Sequence, residues 1–154
     1  MTAQKSYSKD LFKEFPDFQK SDAWKEHVTF WGEDDTYNIY RVVKSFKQYV
    51  IDDILLKSMD VEKKHIFAFV ETQLEKFWDS PEGTPEYRFN NALCTIFLES
   101  LLNHASWGNI KFDTFIPYLG KHSKDFCKYW DTFTGVRSPG LWEDDEWEEA
   151  TSND

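Results

Sequence analysis

Between Tyr37 and Leu55 a set of apolar residues falls at Tyr37, Tyr40, Val43, Phe46, Tyr49, Val50, Ile54 and Leu55. Steps of three and four place them on one face of a helix, not on the alternating face of a strand. The spacing returns in Val61, Ile66, Phe67, Phe69, Val70, Leu74, Phe77 and Trp78. It returns again in Tyr87, Phe89, Leu93, Ile96, Phe97, Leu98, Leu101 and Leu102. This third stripe is apolar on more than one side, which predicts a central helix.

The punctuation between the stripes is helical too. Residues 8–15 read as one or two turns ended by Pro16. Ser21 or Asp22 caps a short helix through Trp24, Val28 and Trp31 that stops at Gly32. Asp34, Asp35 and Thr36 offer caps for the long segment to about Lys57, and Asp60 for the next, to about Trp78. Thr84-Pro85 pairs a capping hydroxyl with proline at the first helical position, opening a helix to about residue 104. Residues 110–119 are ambiguous, a short helix closed by Gly120 being one reading. A last helix runs from Ser123, with Asp125 in its first turn, through Phe126, Tyr129, Trp130 and Phe133 to Gly135. Ser-Pro-Gly at 138–140 then ends regular structure and leaves residues 143–149 solvated.

The expected fold is all-α. It is either a compact helical bundle or a short, HEAT-like stack of helical hairpins. The stack is suggested by a shared frame at an offset of 28, Phe69-Val-Glu-Thr-Gln-Leu74 and Phe97-Leu-Glu-Ser-Leu-Leu102. At 154 residues one domain is expected, over 1–137, followed by an acidic, Trp-containing tail over 138–154. No apolar run reaches the ~18 residues of a membrane span. The first ten residues lack the apolar core of a secretory signal, and two cysteines make no disulfide framework. These features predict a soluble, intracellular protein.

The net charge is −10, unevenly spread. Residues 138–154 hold seven acids (Glu143, Asp144, Asp145, Glu146, Glu148, Glu149 and Asp154) and no Lys or Arg, so the body carries only −3. Such a surface repels nucleic acid and anionic membranes, whose binding requires basic patches. It suits a cationic protein partner, which acidic residues steer and retain.

Catalytic signatures are not found. His27, His65, His104 and His122 have no His or Cys at ligand spacing, and Cys94 and Cys127 form no Cys-x-x-Cys. There is no Gly-x-Ser-x-Gly, P-loop or Gly-x-Gly-x-x-Gly. Cys94 sits in an apolar stretch and reads as core; Cys127, beside Lys128, reads as an ordinary half-buried thiol. Glu71 and Glu99, on apolar helices, are the carboxylates that a hydrolytic pair would use. A structural bridge to Arg88, Asn90 or Asn91 is the stronger reading. No motif asks for a cofactor or a metal. Trp142 and Trp147 stand among the tail acids, either folded back on the body or presented as anchors to a partner.

Three stretches, Ile66-Phe67-Ala68-Phe69-Val70-Glu71, Asn90-Asn91-Ala92 and Phe97-Leu98-Glu99-Ser100-Leu101-Leu102, together with Tyr118-Leu119-Gly120-Lys121-His122-Ser123, carry a family likeness. Over residues 60–135 the chain resembles small bacterial immunity proteins found beside polymorphic or contact-dependent toxins. The resemblance implies a cytoplasmic, all-helical, non-enzymatic protein that binds and neutralises one cognate toxin. A basic nuclease domain is the expected target, its active site covered by this chain. The expected contact residues are Trp142, Glu143, Asp144, Asp145, Glu146, Trp147, Glu148 and Glu149. The loop acids Glu33, Asp34 and Asp35 are a second choice. The alternative is another acidic protein-binding module, a nucleic-acid mimic or a regulatory adaptor. A mimic needs acids along the folded body, which here is nearly balanced.

Overall fold

The computed structural model describes residues 7–57 and 59–152. Among them it is all-helical, a compact bundle of nine α-helices with no strand. In chain order these are α1 (Tyr7–Glu14), α2 (Pro16–Gln19), α3 (Asp22–Trp31), α4 (Ile39–Tyr49), α5 (Asp60–Phe77), α6 (Pro85–Ala92), α7 (Glu99–Ser106), α8 (Lys121–Thr134) and α9 (Asp144–Thr151). No helix among the described residues is long and apolar enough to cross a membrane.

The third apolar stripe is central. α6 passes into α7 through a wide turn over Leu93–Leu98, making one rod. Phe89, Leu93, Phe97, Leu98, Leu101 and Leu102 along it are fully buried. The Phe97 ring lies 5.7 Å from Phe46 of α4 and 5.9 Å from Phe67 of α5, so three elements share one core. Phe46 in turn meets Phe15 and Phe18, each at 5.2 Å, which fixes the N-terminal helices to the bundle. Aromatic pairs of this kind add to the area they bury. α4 ends in a second wide turn, Val50–Leu55, where Leu56 N–H bonds the Ile51 carbonyl. Residues in such turns keep helical dihedrals while the hydrogen bonds reach one residue further.

Most caps stand where expected. The Ser21 hydroxyl accepts from Trp24 N–H, the Thr84 hydroxyl accepts from Tyr87 N–H, and Gly135 closes α8 in the left-handed conformation, φ 73°. Four expectations need correction. Pro16 ends α1 but also opens the single turn of α2. α4 is capped by Asn38, not by residues 34–36, because Asp35 is drawn onto His27 and Arg41. Asp60 is the first residue of α5, not its cap, and its carboxylate accepts from the Tyr118 hydroxyl. Residues 110–119 form two 3-10 turns, Phe112–Thr114 and Ile116–Tyr118, and Gly120 starts α8 instead of closing a helix.

Candidate functional site

The acidic tail is where the charge argument places the site, and its geometry starts from α8. The buried stripe of that helix contains Ser123, Cys127 and Trp130, and Asp131 falls on the same stripe, four residues after Cys127. Asp131 is 0% exposed. Its Oδ2 accepts from Ser138 N–H and from the Trp142 indole N–H, both within 2.8 Å, and its Oδ1 accepts from the Ser138 hydroxyl at 2.8 Å. Burial pushes the Asp131 carboxyl above its ordinary value, and these three bonds offset only part of that push.

The chain after α8 is therefore pinned to the body. Ser138 is fully buried, Leu141 is buried, and Trp142 packs against the core. Beyond them, residues 144–151 form α9 instead of an unstructured run. Glu143 and Glu146 make a reciprocal capping box at its start. The Glu146 carboxylate also takes the Lys128 ammonium at 2.8 Å, which holds its pKa below the usual glutamate value. Arg137 donates to Asp144 at 2.7 Å. The Trp147 ring meets Trp142 edge-on at 5.2 Å. Both indoles thus serve the tail's own docking. The acids divide in two: Asp144 and Glu146 face cations of the body, while Asp145, Glu148 and Glu149 are exposed and make no ion pair among the described residues. Asp154 lies outside the described residues.

The loop acids are separate from this group. Glu33 and Asp34 are exposed between α3 and α4, and Asp35 pairs with His27 at 3.1 Å and Arg41 at 3.4 Å. Among the described residues no hydrogen bond, ion pair or ring contact joins that loop to residues 143–149.

Among the described residues no hydrogen bond joins Glu71 to Glu99. Glu71, on α5, reaches the start of α8. Its Oε2 accepts from His122 N–H and the His122 ring, and its Oε1 from Ser123 N–H and hydroxyl, all between 2.8 and 3.1 Å. The His122 nitrogen facing it is Nδ1, which must carry the proton because a carboxylate only accepts. Burial raises the Glu71 carboxyl, but the four bonds outweigh it and leave the pKa below its ordinary value. Glu71 is thus an N-cap supplied from another helix, while Asp125, expected in the first turn, is exposed beyond it because α8 starts at Lys121. A structural bridge is what forms, but to His122 and Ser123. Of the expected partners, Arg88 bonds the Gly83 carbonyl and Asn91 the Tyr40 hydroxyl. Glu99 is half-buried on α7.

The cysteines are buried, and burial pushes the Cys94 thiol up to about 12 and Cys127 well above its usual value. Burial thus disfavours the thiolate form of both at neutral pH. Among the described residues no cluster of three or more His, Cys, Asp or Glu is disposed to hold a metal ion.

A family described as "Domain of unknown function (DUF7674)" matches residues 8–134. The chain belongs to this family. No curated protein and no solved structure matches it. The DUF7674 match stops at the last residue of α8. It contains Glu71, Lys128 and Asp131, whereas Ser138, Trp142 and all of α9 lie beyond it.

Sequence reasoning missed Asp131, Lys128 and Arg137, the three residues that fix the tail. The signal for Asp131 was its position on the apolar stripe of α8. It also missed that Tyr129 and Phe133, read as part of the last helix's apolar stripe, face outward, 65% and 78% exposed.

Proposed function

We propose that this DUF7674 chain is an immunity protein of the cytoplasm, which binds and neutralises a cognate basic toxin and has no catalysis of its own. The observation that supports this reading best is α9, a helix of eight residues with five acids and no base, held in place by Asp131, Lys128 and Arg137. An ordered acidic helix has already lost the conformational freedom that binding would otherwise remove. Its unpaired acids Asp145, Glu148 and Glu149 are the contact residues for the toxin's cations. Trp142 and Trp147 support them from below, and Tyr129 and Phe133 add exposed aromatic surface on the neighbouring helix. Charge of this kind speeds encounter, and aromatic burial supplies affinity.

The test is growth of cells that express the product of the adjoining gene, alone and with this chain. Toxicity relieved by co-expression is the expected result. A harmless neighbour, or toxicity that persists, overturns the reading in favour of an adaptor. With the toxin in hand, the triple change Asp145→Asn, Glu148→Gln, Glu149→Gln should slow association by roughly tenfold or more at low salt and flatten its salt dependence. This variant leaves the docking contacts in place, which deletion of 138–154 would not, since Asp131 would lose its donors. Unchanged kinetics would remove α9 from the interface.

A further inference from the structure

One cavity lies away from the tail. α3 and α4 enclose a groove of about 420 Å³, within the size range of small-molecule sites. Its lining includes Arg41, Lys44 and Lys47 against a single acid, Glu26. In a chain of net charge −10 this is a local reversal of sign. Phe30 and Trp31, adjacent on α3, stand at the same groove 74% and 53% exposed.

Lys47 is the unusual group. It is only 8% exposed, and its one hydrogen bond, 3.4 Å to Gln48 Oε1, is long. It forms no ion pair among the described residues. The Gln48 amide is oriented by its other end, which donates to Asp52 at 3.0 Å. Burial, and then the charge of Lys44, hold the Lys47 pKa below that of an ordinary lysine. A buried ammonium without a carboxylate is unfavourable, and a Met of similar length would fill the space at less cost. A buried, poorly bonded cation lining a cleft is a candidate binding group.

The other parts are set in position. The Arg41 guanidinium lies 3.6 Å over the Trp31 ring. Both of its bonds to Asp35 are 3.4 Å, long for a charge-assisted pair, so it retains capacity for another acceptor. His27 is a wall and not a ligand, because one ring nitrogen faces Ser45 and the other Asp35.

We infer that the α3–α4 groove binds a small organic anion with an aromatic ring, its carboxylate or phosphate on Lys47, Lys44 and Arg41 and its ring against Trp31 and Phe30. The site is independent of α9 and of the toxin reading. It also gives Lys47 a directly paired anion, where the chain itself supplies only the through-space attraction of Asp52.

The test uses the full chain, ¹⁵N-labelled, titrated with adenosine 5′-monophosphate as the phosphate probe and 4-hydroxybenzoate as the carboxylate probe. Adenosine and 4-hydroxybenzamide are the neutral controls. At least one anion should saturate below about 10 mM, with amide shifts confined to residues 26–31 and 41–48. Its neutral control should bind at least about tenfold more weakly. Which anion saturates tells phosphate from carboxylate. Lys47→Met should weaken binding by at least about tenfold while its urea midpoint stays at or above that of the parent. Lys44→Met, at an exposed position, gives a second reading and should weaken binding about threefold. No saturation by either anion, equal affinity for the neutral control, or full affinity in Lys44→Met together with a lowered midpoint in Lys47→Met would each overturn the site.

Discussion

Glu71 at the start of α8 and Asp131 near its end each accept several hydrogen bonds, yet their carboxyls move in opposite directions. Glu71 is held below its ordinary pKa and Asp131 above it. Four donors converge on Glu71, two of them free N–H groups at the positive end of a helix, and the side chain keeps some contact with water. Three donors converge on Asp131, which is fully buried and sits in the last turn, where the helix dipole disfavours an anion. The lesson is that the number of bonds does not decide whether a buried carboxylate is comfortable. What decides is which donors they are and how much water was lost to meet them.

The largest break in this comparison should come from Gly120. An added Cβ would lie 2.3 Å from Glu71 Cγ, while the backbone itself, at φ −81°, accepts alanine. Gly120→Ala should therefore expel the Glu71 side chain and cost about 3 kcal/mol in urea unfolding, the sum of a lost cap and unpaired donors. A cost below about 0.5 kcal/mol would mean that Glu71 can shift without losing its bonds.

Glu71→Gln should come next, at about 2 kcal/mol. Each Glu71 oxygen faces a backbone N–H, so either amide orientation sets an NH₂ group against a donor that cannot turn away. The penalty should depend on pH. The Glu71 contribution is fully present above its ordinary value of 4.5 and is lost as pH falls through the lower folded value. The parent and Glu71→Gln should therefore converge in acid.

Trp142→Phe removes one donor from Asp131 and should cost about 1 kcal/mol. Its signature should be faster amide exchange across residues 144–151, with the core unaffected. If α9 keeps its protection, the indole bond does not hold the tail.

Asp131→Asn should be the mildest, at about 0.5 kcal/mol or less. The amide oxygen can accept from Ser138 N–H and Trp142 Nε1–H where Oδ2 does, and the NH₂ can donate to a Ser138 hydroxyl that rotates. Here the pH trend reverses. Asp131 contributes most below its ordinary value of 3.8, and that contribution fades as pH rises through the raised folded value. Asp131→Asn should gain on the parent as pH rises, the opposite of Glu71→Gln. Parallel trends in the two variants would dissolve the comparison.

The spacing of Val43, Phe46 and Val50, or of Leu93, Phe97 and Leu101, was enough to place each long helix and the face it buries. Ser21, Thr84-Pro85 and Gly135 were legible as ends because capping is local chemistry. The charge asymmetry located the tail acids, but not which of them are neutralised. Lys128 and Arg137 reach Glu146 and Asp144 only once α9 lies on α8. The tail looked unstructured because its acids repel one another and it has no stripe of its own. Asp131 was passed over because a single carboxylate on an apolar stripe has meaning only with its donors, which lie seven and eleven residues further on.

The sequence by itself determined that this chain is helical, where most of its helices begin and end, and that its negative charge gathers at one end, because periodicity, caps and charge act over a few residues. Only the tertiary structure decided that Glu71 would cap a helix 50 residues away, that the tail would fold back on Asp131, and that Lys47 would be buried beside a groove. Those outcomes depend on desolvation and on donors brought from distant parts of the chain, and neither exists until the core has closed.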